Sequence, residues 1–466
     1  MRIPRGAQTI IETLTDHGHE AYIVGGCVRD MLLNREPEDW DITTSAKPQE
    51  IKALFRRTVD TGIEHGTVTV LIGGDSYEVT TYRMDGIYED HRHPKAVIFT
   101  PNLEEDLKRR DFTINAMAYS ERDGLIDIFG GQEDLKNRII RCVGDAEQRF
   151  DEDALRMLRG IRFAGQLGFD IEENTLDAIR KLAPTLVHIS AERIRTELTK
   201  LLVSDGPDRL RTAYETGLTG YFLPEFDEMM ECAQNNPHHS YNVGEHTLRV
   251  IAYVNRLAAE SACDKKKGIA LAFAGLLHDV AKPSCRKTDE AGIDHFHGHD
   301  VRGEETAGEI LRRLKFDNDT VALVKCLVRH HDVRYAYCVD TQGGEPDGPV
   351  RGLRAMRRLT GKVGRDRMPL LFLLQRADIE AQSDYKKREK LETLDAGERC
   401  YRTICEAQDA VTIADLAVTG RDLIDERGFE PGPAIGAELK RLLELVMDDP
   451  SLNTREKLLA EVPDHT

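Results

Sequence analysis

No Cys-x-x-Cys pair occurs among the nine cysteines, which are scattered at positions 27, 142, 232, 263, 285, 326, 338, 400 and 405. That spacing argues against a thiolate zinc site and a disulfide framework, and it fits a reducing cytoplasm. No apolar run approaches the ~20 residues that cross a bilayer. Met1-Arg2-Ile3-Pro4 lacks the apolar core of a secretory signal. The expectation is a cytoplasmic protein with no membrane partner. Aromatic residues make up only 6% of the chain, with a single tryptophan, against 40% hydrophobic residues. This is the balance of a rather helical globular protein. Low-complexity tracts and short-period repeats are absent as well. The 466 residues leave room for roughly two to four domains with ample core.

Net positive charge is also lacking: 82 acidic residues against 64 Lys and Arg leave a net charge of −18. Nucleic-acid binding depends on local patches rather than on the sum, and two are visible. One comprises Arg351, Arg354, Arg357, Arg358, Lys362, Arg365 and Arg367, opposed by Asp366. The other is Lys386-Lys387-Arg388 with Lys390. Each reads either as an RNA contact or as a solvated helix face.

The densest chemistry lies near the N-terminus. Ala21-Tyr22-Ile23-Val24 reads as a buried strand leading into Gly25-Gly26-Cys27-Val28-Arg29-Asp30. Two glycines let the backbone approach a triphosphate, and Arg29 can pair with its oxygens. Asp39 and Asp41 follow at i and i+2, a spacing that on a strand puts both carboxylates on one face. Such a pair needs a cation between its members, as in Mg²⁺-assisted nucleotidyl transfer. Thr67–Ile72 reads as a strand, Gly73-Gly74-Asp75 as a hairpin turn, and Tyr77–Arg83 as the return strand carrying a third carboxylate, Glu78. From about 146 onward the pattern is almost wholly helical, with breaks near 204–207, 235–237 and 342–349.

Three further constellations carry chemistry. In Glu105–Ala116, Arg109 and Arg110 could neutralise phosphates, Asp111 could accept from ribose hydroxyls, and Asn115 could fix the loop. In Glu152–Phe163, Asp153 and Arg156 stand at i and i+3 on an expected helix. An Asp acceptor beside an Arg donor matches the Watson–Crick edges of cytosine and adenine and rejects guanine and uracil. Arg159 lies on a nearby face, and Arg162 lies further along. The third set is His246, His278-Asp279, His295, His297, His299, His330-His331-Asp332 and Asp378. His and Asp on apolar helices are costly to bury unless they bind metal. A two-metal centre of this kind suits phosphate-ester hydrolysis.

Together these segments resemble the bacterial class II tRNA nucleotidyltransferases, the CCA-adding enzymes. The Gly25–Asp41 segment resembles the family's first motif, Arg109–Ala116 its ribose-selecting motif, and Glu152-Asp153-x-x-Arg156 its amino-acid template for CTP and ATP. Glu192–Leu198 is similar to the end of its neck. The resemblance implies an α+β protein: a nucleotidyltransferase head of mostly antiparallel sheet plus helices, followed by all-α regions. The implied segments are a head over 1–145, a neck over 146–205, body helices over 206–235, an HD phosphohydrolase-like domain over 236–385 and a tRNA-binding tail over 386–466. It also implies that Asp39 and Asp41 hold a catalytic Mg²⁺, with Glu78 less securely placed. Gly26, Arg29, Arg110, Asp111, Asp153, Arg156, Arg159 and Arg162 would contact the nucleotide. The stretch from Arg83 to Leu103 resembles the flexible loop of CCA- and A-adding members, which CC-adding relatives lack. The segment Glu64–Val68 differs from poly(A) polymerases.

In the middle region, the HD resemblance makes His246, His278, Asp279 and Asp378 ligand candidates. His299, chosen over His297, and His330, chosen over His331, would complete a site for one or two divalent metals. The segment from Leu416 to Leu458 resembles the tail that reaches the tRNA elbow. The activity so implied is addition of C, C and A to tRNA from CTP and ATP. The rivals are an A-adding enzyme, an HD-type nucleotide phosphohydrolase and a non-enzymatic tRNA scaffold.

Overall fold

The computed structural model describes residues 3–85, 97–339 and 348–463. The chain divides into two units, Met1–Asp227 and Glu228–Thr466. The division falls inside the 206–235 segment expected to hold body helices.

In the first unit, helix Arg5–Asp16 buries Ala7, Ile10, Ile11 and Leu14, a stripe at three- and four-residue spacing. Seven strands form one sheet in the order β3-β4-β5-β2-β1-β8-β9. They are β1 (Ala21–Val24), β2 (Asp41–Thr44), β3 (Thr58–Gly62), β4 (Thr67–Ile72), β5 (Asp75–Thr81), β8 (Met117–Ser120) and β9 (Gly124–Asp127). Every neighbouring pair is antiparallel except β2 and β5, which run parallel. The sheet is therefore mostly antiparallel, as the resemblance implies. A separate hairpin pairs β6 (Arg83–Asp85) with β7 (Val97–Phe99). Of the expected flexible loop, residues 86–96 lie outside the described residues.

The β4–β5 turn is Gly73-Gly74, both at positive φ, the backbone that a tight hairpin demands. Beyond the sheet, the unit continues with helices Ala146–Glu152, Leu155–Leu167, Glu173–Leu182 and Ala191–Leu202.

Among the described residues, the regular structure of the second unit is helical apart from the short pair Lys287–Thr288 and Asp294–His295. Helix Lys265–Leu277 buries every residue from Ala270 to Leu277, as expected of a central helix apolar on all sides. Helices Val243–Glu260, His299–Arg313, Asn318–His330 and Met368–Ala381 belong to the same unit, followed by Lys387–Glu406. The last part of the chain has its own apolar cluster, which includes Leu423, Leu442, Val446 and Leu458. No helix among the described residues is long and apolar enough to cross a membrane.

Candidate active site and candidate metal centre

Strand β1 ends at Val24, and Gly25 turns the chain into helix Gly26–Leu32 at φ 81° and ψ −130°. L residues rarely adopt that backbone. A Cβ on Gly25 would lie 2.9 Å from Nη1 of Arg110, so the glycine also leaves room for that guanidinium. Asp41 is the first residue of β2 and stands in register with Glu78 of the parallel strand β5. Asp39 precedes the strand. The two aspartates are thus not both strand residues, as their spacing suggested: the chain becomes extended and paired only at Asp41.

Desolvation raises the Asp41 carboxyl, Arg110 opposes the shift and Asp39 adds to it. Glu78 is raised by desolvation and then by Asp41 and Asp39. Burial and carboxylate repulsion thus raise Asp41 and Glu78, and a hard divalent cation between such oxygen donors would relieve both. The residues present therefore fit the metal that the fold class implies.

Asp106, on helix Leu103–Lys108, had no role in the sequence reading, yet it organises this edge. Its carboxylate is fully buried and pairs with Arg109 at 2.7 Å and Arg110 at 3.7 Å. It also accepts from Thr43 Oγ1 on β2 at 3.1 Å and from the Arg83 backbone N–H at 3.3 Å. Burial opposes its charge, but the two arginines hold its pKa below the ordinary value. The signal was legible: Arg109 and Arg110 follow Asp106 at i+3 and i+4.

A second network runs from the sheet to the helices. Arg29 pairs with Asp30 at 2.9 Å and donates to Asn115 Oδ1 at 2.8 Å. Asn115 Nδ2 donates to Asp111 at 3.2 Å. The other Asp111 oxygen meets Arg159 at 2.6 Å. Burial would raise Asp111, but Arg159 and Asn115 hold it well below the usual carboxylate range. Arg162 pairs with Glu197 at 2.7 Å. Arg29, Arg159 and Arg162 lie 5.0, 5.5 and 3.7 Å from the centre of the Phe163 ring, a cation–π platform.

The expected Asp153–Arg156 helix pair is corrected. Asp153 caps the end of helix Ala146–Glu152, and the next helix begins at Leu155. Its carboxylate pairs with Arg193 at 2.7 Å. Arg156 pairs with Glu152 at 2.6 Å and donates to the Arg109 carbonyl at 2.9 Å. The break in the helix removes the i,i+3 geometry that spacing alone suggested. Arg193 and Glu197, from helix Ala191–Leu202, were missed because their partners are distant in sequence.

In the second unit, six side chains converge as two triads, His246–His278–Asp378 and Asp279–His299–His331. Asp279 bridges them. Its Oδ2 lies 3.1 Å from His278 Nε2 and 3.7 Å from His246 Nε2. Its Oδ1 lies 3.6 Å from Nε2 of both His299 and His331. His246 Nε2 is 2.9 Å from Asp378. The Nδ1 atoms of His278, His299 and His331 face the backbone carbonyls of Gly275, Phe296 and Val328 at 2.8, 2.8 and 2.6 Å. Each carbonyl holds the proton on Nδ1 and leaves an Nε2 lone pair pointing inward. The buried His246 Nε2 and His278 Nε2 make no well-angled hydrogen bond. Nitrogen and carboxylate donors aimed at common points fit one or two divalent cations. Asp279 is held well below its ordinary pKa: burial opposes this, and His278 and Lys282 overcome it.

One ligand choice is corrected here. His331, not His330, belongs to the cluster. His331 is buried, whereas half-buried His330 faces the Cys326 carbonyl at 2.9 Å. His299 is a member of the cluster, while His297 stacks on His295 at 5.7 Å. In the basic patch, Arg357 is buried against Asp409 at 2.6 Å and Arg358 meets Glu444 at 2.9 Å, so part of it holds helices together.

The sheet with its carboxylate edge and the helical His/Asp cluster define a nucleotidyltransferase joined to an HD domain. Family models agree: a poly A polymerase head domain matches residues 21–141, and an RNA and SrmB-binding site of polymerase A matches 168–230. An HD domain matches 243–381, and tRNA nucleotidyltransferase domain 2 matches 376–462. The chain is 52% identical over 234 residues to a CCA-adding enzyme of Lactobacillus helveticus, covering 50% of this chain and 58% of that one. It is 54% identical over 225 residues to that of Geobacillus thermodenitrificans, covering 48% and 55%. These matches span little more than half the length of the curated relatives. The crystal structure of the Bacillus stearothermophilus CCA-adding enzyme in complex with CTP matches end to end: 30% identity, 99% of this chain, 98% of that chain and a TM-score of 0.71. The chain belongs to the CCA-adding enzyme family.

Proposed function

We propose that this protein adds C, C and A to the 3′ end of tRNA from CTP and ATP, without a nucleic-acid template, and releases pyrophosphate. The observation that carries the reading is the Asp39–Asp41–Glu78 edge facing Arg110, in a fold that matches a CTP-bound CCA-adding enzyme along its whole length.

Asp39 and Asp41 would hold Mg²⁺, which when bound supplies charge neutralisation and a lowered pKa for the terminal 3′-hydroxyl. The turn at Gly25-Gly26 brings backbone N–H groups toward the triphosphate. Arg110 and Arg29 balance the charge that builds on the departing pyrophosphate. Asp111, fixed by Arg159 and Asn115, offers its carboxylate edge to the ribose. Asp153 and Arg156 select the base, for which they must exchange Arg193 and Glu152 for its Watson–Crick edge. Arg159 and Arg162 back the pocket across Phe163. The acceptor arm would lie along the 146–205 helices and the elbow along the 386–466 tail.

The His/Asp cluster favours a second activity on the same chain, hydrolysis of a phosphate ester with one or two divalent metals bound. The test of the main reading uses tRNA transcripts ending before C, after C and after CC, with CTP and ATP supplied singly and together. Growth of the shortest transcript by C, C and A is expected. Extension of only the CC-ending transcript by a single A would make the protein an A-adding enzyme. No extension of any transcript would overturn the reading.

A further inference from the structure

The His/Asp cluster opens into a cavity of about 750 Å³. That lies within the ~300–1,000 Å³ typical of sites for nucleotide-sized ligands and far exceeds what one phosphate fills. Its walls carry cations that are not metal ligands: Lys282, Arg334, Lys386 and Lys390. Three of them have carboxylates within reach. Lys282 lies 2.7 Å from Asp279, Arg334 lies 3.7 Å from Asp332, and Lys386 lies 3.9 Å from Glu389.

Lys390 differs. It comes from helix Lys387–Glu406, beyond the 243–381 span of the HD domain. It is half-buried, and it donates to the neutral Gln382 Oε1. Gln382 Nε2 in turn donates to both oxygens of Asp378 at 3.0 Å. Desolvation pulls the lysine below its ordinary pKa; Asp378 and, more weakly, Asp332 oppose the shift, while Arg334 and Lys387 add to it. A half-buried ammonium whose printed hydrogen bond goes to a neutral amide keeps donors for a phosphate oxygen, a charge-assisted contact that burial strengthens.

We propose that this cavity takes a nucleotide bearing two phosphate groups. The scissile phosphate faces the His/Asp cluster, and the second phosphate sits on Lys390 with Arg334. The inference rests on reading the cluster as a hydrolytic metal centre and names its substrate class. In the reaction, a water oxygen bonds to phosphorus and the ester P–O bond breaks. Its electron pair leaves on the ribose oxygen, which takes a proton, so the products are inorganic phosphate and a nucleotide that keeps its second phosphate. Phe296 and Ile379 on the wall supply apolar surface for the nucleoside.

The test measures inorganic phosphate released by the full-length, Mn²⁺-loaded protein. The substrates are adenosine 3′,5′-bisphosphate, adenosine 3′-monophosphate and adenosine 5′-monophosphate. The bisphosphate should exceed either monophosphate by about tenfold or more in kcat/KM, the scale of one charge-assisted contact. K390A should erase that advantage, lowering kcat/KM for the bisphosphate about tenfold more than for either monophosphate, and K390R should restore most of it. Equal rates on all three substrates, or an equal loss on all three in K390A, would overturn the two-phosphate assignment while sparing the hydrolytic reading. Calorimetry of the bisphosphate on the metal-free full-length protein and on K390A gives a readout independent of turnover, since binding elsewhere on the chain is common to both. Weaker binding by about tenfold in K390A supports the site, and an unchanged isotherm refutes it. Absence of all hydrolysis with the binding difference intact would remove the hydrolytic reading alone.

Discussion

Gly25 and Gly26 are chemically identical neighbours, and the structure assigns them opposite sensitivities. Gly25→Ala forces an L residue to φ 81°, a sparsely populated backbone that costs about 1–3 kcal/mol. Its Cβ would also meet Arg110 Nη1 at 2.9 Å. That contact is with the end of a flexible side chain, so the guanidinium moves, away from the carboxylates it balances. Gly26 is the first residue of helix Gly26–Leu32. A Cβ there meets nothing closer than Arg29 Nη2 at 3.7 Å, an ordinary contact. Gly26→Ala should therefore fold as well as the parent, or gain up to about 0.5–1 kcal/mol from reduced backbone freedom. In thermal melts Gly25→Ala should fall by roughly 2–12 °C, taking about 2–4 °C per kcal/mol for a unit of this size. In nucleotide addition both variants should raise the KM for CTP, Gly25→Ala by displacing Arg110 and Gly26→Ala by holding the triphosphate off the backbone. Equal melting temperatures for the two variants would refute the strain argument. A Gly26→Ala enzyme with unchanged KM would refute the close approach of phosphate.

Glu78→Gln should stabilise the metal-free protein, because it removes one of three mutually repelling carboxylates, and should raise the Mg²⁺ concentration needed for half-maximal addition. A drop in metal-free stability would argue that Glu78 has an attractive partner instead. His331→Ala should weaken metal retention by at least ~10–100-fold while His330→Ala leaves it intact, as read by elemental analysis of dialysed protein; the reverse order would return the ligand role to His330. Asp111→Asn should cost about 1–3 kcal/mol at neutral pH by leaving Arg159 without its buried partner. Asp111 has a lowered folded pKa, so its contribution is complete above the ordinary aspartate value near 3.9 and is lost as the pH falls below it. The gap between variant and parent should accordingly close below about pH 4 in denaturant titrations, and a constant gap would refute the assignment.

Local periodicity made much of this protein legible. The alternation of Thr67–Ile72, the glycine pair at its turn and the apolar lead into Gly25 defined the sheet that the structure contains. The His331 correction was legible too. Val324, Leu327, Val328 and His331 fall at the three- and four-residue spacing of one buried helix face, and His330 lies off it. Asp106 could have been read from its two arginines. Residue types in a short window, helix period and strand period are local properties, and they set which chemistry the chain carries.

Partnership is not local. Spacing put Asp153 and Arg156 together on one helix, but a break at residues 153–154 turned one toward Arg193 and the other toward Glu152. The parallel pairing of β2 with β5 set Glu78 beside Asp41 at a sequence separation of 37. The bridging role of Asp279 arose where separate helix ends meet, and a lysine from a later helix reached the same cavity. The sequence by itself determined the two chemistries and the elements that bear them, because apolar burial and backbone geometry repeat over a few residues. Only the tertiary structure decided which charge meets which, because electrostatic partners are chosen by distances that chain separation does not encode.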